Sequence, residues 1–170
     1  PSAVHGAGVF ATRDIAEGEL LTLYPGDAIV IRPEGDRTPG QKMGVLFGSH
    51  VPEADRRPER VLSDFALGYE IAASGTHTLV GDPSLVDNVA YVGHICNDST
   101  TCSLAEGNAA AYEQASADAC NAAFLVVRGC NVAVVAVRPI VCGQEVFVSY
   151  GRGYWLSRTP IQTHTEDDIS

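Results

Sequence analysis

The chain has 170 residues, 45% of them hydrophobic, with 21 acidic and 11 basic side chains and a formal net charge of −10. That length supports one domain with a real core and leaves no room for a second. No apolar run approaches the ~18 residues of a membrane span, no secretory signal is visible in PSAVHGAGVF, and a negative surface would repel nucleic-acid phosphate while drawing a basic partner.

Glycine and proline punctuate the chain at short intervals, with strand-like runs between them. GVFATRDI (8–15) and ELLTLYPG (19–26) flank a turn at Glu17-Gly18, and DAIVIR (27–32) continues in β character. Residues 33–60 hold four prolines and five of the basic residues with little periodicity, which predicts an irregular, exposed insertion with one short helix. FALGYEIA (65–72) and THTLVG (76–81) read as a hairpin. Residues 98–120 are small and polar, and their Ala-rich stretch LAEGNAAAYEQASADA can form a helix that Gly107 and Asn108 weaken. NAAFLVVRGCNVAVVAVRPI carries the strongest β signal, two Val-rich runs around a turn at Arg128–Asn131, and QEVFVSY (144–150) reads as a further strand. The acidic tail TEDDIS is expected to be flexible.

Five cysteines (Cys96, Cys102, Cys120, Cys130, Cys142) with no C-x-x-C pair argue against a disulfide framework or a structural zinc site. They are read as reduced, mostly buried thiols of an intracellular protein. Asn97-Asp98-Ser99 also fits a glycosylation sequon, a short pattern that arises often by chance.

Three stretches invite a chemical reading. HGAGVFA (5–11) nearly matches a dinucleotide fingerprint at Gly6, Gly8 and Ala11, but that mechanism needs a preceding strand and a following helix, and only five residues precede Gly6. What remains is a tight turn, or a place where a ligand approaches the backbone closely. In GHICNDS (93–99), His94 is open between a ligand or base and a core histidine; no second histidine at metal-like spacing supports the former. In VFVSYGRGYW (146–155), Ser149 lacks a nucleophile elbow. Tyr150 and Trp155, the one tryptophan, either fill the core or line and close a pocket.

Taken in order, the Gly-x-Gly-Val-Phe-Ala start, DIAEGELL, the Asn-x-Ser turn, CNAAF with its Val-rich hairpin, and VRPIVCGQEVFVSYG with a trailing aromatic pair resemble the SET-domain family of protein lysine methyltransferases. The most specific part is AVRPIVCGQEVFVSYG, and YGRGYWLSR looks like the compact SET proteins of large algal viruses. The resemblance implies a mostly β fold of several small sheets of short strands around a C-terminal pseudoknot, with short helices in the insertions. It implies one SET domain over 1–158, with irregular insertions at about 33–60 and 98–119 before the tail, 159–170.

It further implies S-adenosyl-L-methionine as cofactor, and a protein lysine, such as one in a histone tail, entering a narrow channel from the opposite face. Residue by residue, His5, Gly6, Ala7, Gly8 and Val9 match the cofactor-binding turn, with Asn97, Asp98 and Trp155 as further cofactor contacts. Tyr150 matches the catalytic tyrosine, and Tyr69, Val148 and Tyr154 are assigned to the substrate channel. Asp98 stands where the family usually has His, and Ser149 where Asp is common. Val148 is smaller than the Phe or Tyr often found there, which would permit higher methylation. No cysteine follows Gly151, so the zinc-binding post-SET module is absent from the pattern and no metal is expected. A histone substrate would place the protein in the nucleus. A SET-like binding module without activity, a non-histone substrate, and, third, a nicotinamide-dependent oxidoreductase are the alternatives.

Overall fold

Short β-branched runs cut by glycine and proline give short strands, and the seven among the described residues are three to five residues long. The computed structural model describes residues 2, 6–32, 43–62, 68–100 and 109–156. The strands are β1 (Leu20–Leu23), β2 (Ala28–Ile31), β3 (Gly44–Phe47), β4 (Glu70–Ala72), β5 (His77–Val80), β6 (Ala122–Val126) and β7 (Val132–Ala136). They form two antiparallel sheets, ordered β1-β7-β6 and β3-β2-β5-β4. The Val-rich hairpin is β6–β7, closed by Val127 N donating to Asn131 O at 2.8 Å. The hairpin expected at 65–81 is β4–β5, with Glu70 opposite Val80; residues 63–67 lie outside the described set.

Two differences from the sequence reading matter. The β character from 19 to 32 is split between the two sheets: β1 pairs with β7, and after Pro25-Gly26 β2 pairs with β3 and β5. Proline lacks the N–H a ladder needs, so the run cannot continue as one strand. The described part of the 33–60 insertion contains the edge strand β3, a 3-10 turn at Glu53–Asp55 and a short helix α1 (Pro58–Val61). The helix matches expectation, whereas β3 is a four-residue apolar run with no alternation to reveal it. The Ala-rich stretch forms α2 (Ala109–Ala119), and α3 (Arg152–Leu156) lies outside both insertions.

Neither 8–15 nor 144–150 forms a regular strand. They meet through isolated bridges, Phe10 with Glu145 and Ile15 with Ile140, while Asn97 bridges Phe147 in parallel. The cores explain why this arrangement is stable. Val146 and Val148 are fully buried with Cys96, Ala122, Val134, Ala136 and Ile140, and a second cluster gathers Tyr24, Leu79 and Val132. The segment is thus held between two chain stretches. On one side Val148 N donates to Asn97 O at 3.0 Å; on the other Ala122 N donates to Phe147 O at 3.0 Å. Asn121, only 2% exposed, closes this side by donating from Nδ2 to Glu145 O (2.8 Å) and accepting at Oδ1 from Phe147 N (2.8 Å). This threading between 96–98 and 121–122 is the pseudoknot that the resemblance implied.

Of the four described cysteines, Cys96 and Cys120 are buried, Cys130 is half-buried and Cys142 is exposed, all as free thiols. Burial pushes the Cys96 thiol up to about 12, so it is inert.

Asn121→Ala leaves two buried backbone groups without partners, at roughly 1–3 kcal/mol each. Urea unfolding should show a loss of about 2–6 kcal/mol. A change within ±0.5 kcal/mol, the range of neutral surface substitutions, would mean that Asn121 does not hold the threaded segment.

Candidate functional site

The threaded segment ends at Tyr150, and the chain turns immediately after it because Gly151 takes φ +81°, a conformation costly for any residue with a Cβ. Tyr150 is fixed at both ends. Its backbone N donates to Asp98 Oδ2 at 3.0 Å, and its hydroxyl donates to Cys96 O at 2.9 Å. Since a phenol has one proton and two lone pairs, the oxygen remains an acceptor. Burial, then the neighbouring Tyr154, holds the Tyr150 hydroxyl well above the ordinary tyrosine range, so it stays protonated. α3 returns over this ring: Tyr154 meets it edge-on at 4.6 Å and Trp155 stacks at 6.1 Å with 24° between planes. The Trp155 indole N–H donates to Asp98 Oδ2 at 3.2 Å.

Behind Tyr150 lies a cavity of about 70 Å³ whose lining includes Tyr24, Glu70, His94, Phe124, Tyr150 and Tyr154. It is far below the ~300–1,000 Å³ of a small-molecule pocket, and suits one inserted side chain. Its walls are aromatic: Tyr24 contacts Phe124 at 5.9 Å and His94 at 6.3 Å, both edge-on. Burial raises Tyr24 well above its ordinary range, which keeps a second neutral phenol there. His94 presses against Gly81, where a Cβ would come within 2.6 Å of the imidazole, and its Nε2 lies 3.1 Å from Asp82 O. A carbonyl only accepts, so Nε2 carries the proton and Nδ1 is a bare lone pair. That Nδ1 is buried and has no hydrogen-bond partner among the described residues. Burial lowers the His94 pKa, so the ring is neutral.

A second group joins the N-terminal turn to the threaded segment. Asn97 Nδ2 donates to Ala7 O and to Glu145 Oε1, each at 2.9 Å, and Ser2 Oγ donates to Glu145 Oε2 at 3.0 Å. Val146 N donates to Val9 O at 2.8 Å. Gly8 must be glycine for this packing, because a Cβ there would lie 2.2 Å from Glu145 Oε1.

The structure therefore brings Gly6, Ala7, Gly8 and Val9 together with Asn97, and Asp98 together with Tyr150, Tyr154 and Trp155. His5 lies outside the described residues. Asp98, expected against a cofactor, is 0% exposed, and its carboxylate serves the protein's own donors. Tyr69 meets His94 edge-on at 6.3 Å, and its neighbours Gly68 and Glu70 line the cavity. Val148, assigned to the substrate channel, is fully buried in the core and is not among the residues lining this cavity. Side chains alternate in extended backbone, so Val146 and Val148 share the core side and Ser149 falls on the other. The sequence reading missed Tyr24, Phe124, Glu145 and Tyr112. Tyr24 and Phe124 sit in strand-like runs that look like ordinary core, and Glu145 carried one signal, its place in the Gly-Gln-Glu block before the tyrosine.

Gly8→Ala should destabilise the fold by about 1–3 kcal/mol through overpacking against Glu145. In a Glu145→Ala background the same change should cost less than half as much, measured by urea unfolding of the double-mutant cycle. Additive effects would show that the two residues do not press on each other.

No curated protein sequence matches the chain significantly. Among solved structures, a Plasmodium falciparum candidate histone methyltransferase is 18% identical, aligned over 91% of this chain and 91% of that one, with a TM-score of 0.46. The family model of the SET domain matches residues 6–151, from the glycine turn through Tyr150 to Gly151. On that match, the chain belongs to the SET-domain family.

Proposed function

We propose that the protein is an S-adenosyl-L-methionine-dependent protein lysine N-methyltransferase acting on a basic protein segment of the histone-tail class, with a nuclear site of action when that substrate is a histone. The observation that carries this reading is the small aromatic cavity beside Tyr150, whose hydroxyl has its proton committed to Cys96 O and its lone pairs left as acceptors.

The residues present fit the cofactor. SET-domain methyltransferases use S-adenosylmethionine in general. Here the half-buried Tyr154 and Trp155 offer π faces suited to a purine and to a positive sulfur. Among the described residues nothing lies within 4 Å of the place where a Cβ of Gly6 would stand, which suits close approach of a ligand to the exposed turn. When bound, the cofactor supplies a methyl group on a cationic sulfur, open to in-line attack by a neutral amine.

The protein's task is to produce and aim that amine. A lysine of pKa ~10.4 is protonated at pH 7, and neutralising it costs about 4.6 kcal/mol at 1.36 kcal/mol per unit. The aromatic walls strip water from the ammonium and so lower that cost, because desolvation disfavours the charged form. Glu70, paired only loosely with Arg32 at 3.7 Å, lines the same cavity and attracts the incoming cation. Tyr150 and the neutral His94 both line the cavity, and the Tyr150 oxygen, its proton committed to Cys96 O, accepts from an amine N–H without holding a permanent charge. Alignment of this kind supplies up to ~7–11 kcal/mol of the barrier. The net charge of −10 favours a basic partner.

The test is transfer of labelled methyl from S-adenosylmethionine to core histones by the wild type and by Tyr150→Phe. The expected result is label on a histone, reduced roughly 100-fold in the variant by loss of alignment. Equal label from both would remove Tyr150 from the mechanism. Cofactor binding without transfer to any histone would overturn the histone assignment, and loss of both would leave a binding module.

pH supplies a separate test. Only neutral amine reacts, so kcat/KM should rise about tenfold per pH unit below the lysine pKa. Tyr150 ionises well above its ordinary range, so no descending limb is expected up to pH ~10. A bell-shaped profile falling near neutrality would instead indicate an essential acid with a lower pKa.

A further inference from the structure

The insertion helix α2 reaches the reaction centre through one side chain. Tyr112, in its first turn, is 3% exposed. Its hydroxyl donates to Asp98 Oδ2 at 2.6 Å, accepts from Gly151 N at 3.0 Å, and lies 3.1 Å from Ser149 Oγ. With the single phenolic proton spent on a carboxylate, Ser149 must be the donor, and every site on the Tyr112 oxygen is filled.

Asp98 completes the arrangement. Its Oδ2 accepts from Tyr112, from Tyr150 N and from Trp155 Nε1, while Oδ1 accepts from Thr100 N at 2.9 Å. The two consecutive amides that bracket the Tyr150 backbone are therefore held by a phenol and a carboxylate, in place of a sheet ladder. Tyr150 N goes to Asp98, and Gly151 N to Tyr112 at 3.0 Å, with Ser149 Oγ as a longer second acceptor at 3.3 Å. Hydrogen bonds to an ionised acceptor are shorter and stronger than neutral ones, which makes this a stiff connection. A five-residue helix such as α3 is too short to be stable alone, so its docking depends on contacts of this kind and on the stacking of Trp155 over Tyr150.

We propose that Tyr112 is a positioning residue for Tyr150, acting with Asp98 as a clamp through which the insertion helix sets both the place of the Tyr150 ring and the closure of Trp155 over it. The catalytic consequence rests on the methyltransferase reading above; the docking of Trp155 does not. The clamp joins three parts of the chain far apart in sequence, none of which is sufficient without the others.

Tyr112→Phe keeps the ring and its packing and removes only the hydroxyl. Because Trp155 is the one tryptophan, its fluorescence reports the clamp directly. The expected result is acrylamide quenching of Trp155 raised about twofold or more with unchanged far-UV circular dichroism, as local opening becomes easier. In the methyl-transfer assay kcat should fall roughly 10- to 100-fold, as expected for displacement of an aligned group, with KM for the histone substrate changed less than ~3-fold. Wild-type quenching in the variant would overturn the clamp, whether or not the protein methylates anything. Raised quenching with unchanged kcat in an active enzyme would overturn the positioning role. Should the variant not fold, hydrogen exchange in the wild type decides. The Tyr150 and Gly151 amides must then exchange at least ~100-fold more slowly than the exposed Gly153 amide, as sequestered amides do. Fast exchange at both would sink the proposal.

Discussion

A chain segment buried without a ladder is the constraint on which the rest of this structure depends. Residues 145–150 run through the core, where each backbone N–H and C=O must find a partner or cost free energy. Backbone contacts at isolated bridges satisfy some of them, as where Asn97 O accepts from Val148 N, and side chains serve others: Asn121 takes Glu145 O and Phe147 N, and Asp98 takes Tyr150 N. Valines 146 and 148 anchor the same segment in the apolar cluster. Threading and burial are thus one event, and the residue at the end of the thread is Tyr150.

The site follows from that placement. A tyrosine carried on a loop would bring a mobile hydroxyl, whereas here backbone, ring and hydroxyl are held by Asp98, by Tyr154 with Trp155, and by Cys96 O. Tyr24 directly follows β1, Phe124 sits at the middle of β6, and His94 comes from the 3-10 turn Gly93–Ile95. The small residues are what permit this convergence. Gly81 lets the imidazole lie against the chain, and Gly8 lets the Glu145 carboxylate do so. Rigid scaffolding of this sort suits a reaction that asks for alignment more than for a strong base.

The buried charge is organised differently from the surface charge. Arg13–Glu19 and Arg32–Glu70 are exposed or half-exposed ion pairs of small worth. Asp98 and Glu145 instead accept from neutral N–H and O–H groups. A carboxylate fed by several preplaced donors binds elements in fixed geometry, which a flexible ion pair between long side chains does not. This is how Glu145 ties in the N-terminal turn, and how Asp98 joins the insertion helix to the C-terminal aromatics.

Much of this was legible in the residues. The Val-rich runs around Arg128–Asn131 and the β4–β5 pair form hairpins because their contacts are local, and the Ala-rich stretch is helical by propensity. The block ending in Tyr150-Gly151 identified the family and pointed to the tyrosine. What the sequence could not express was which side of an extended segment faces what. Val148 lies in the core, and Phe124 from a different strand lines the cavity. Nor could it show that Asp98 and Tyr112, fourteen positions apart, close on one another over Gly151. Local pattern determines strands, turns and helices because those depend on neighbours along the chain. The cavity, the Asn121 bracket and the Asp98 centre depend on long-range burial, and only tertiary packing decides which polar groups must satisfy one another away from water.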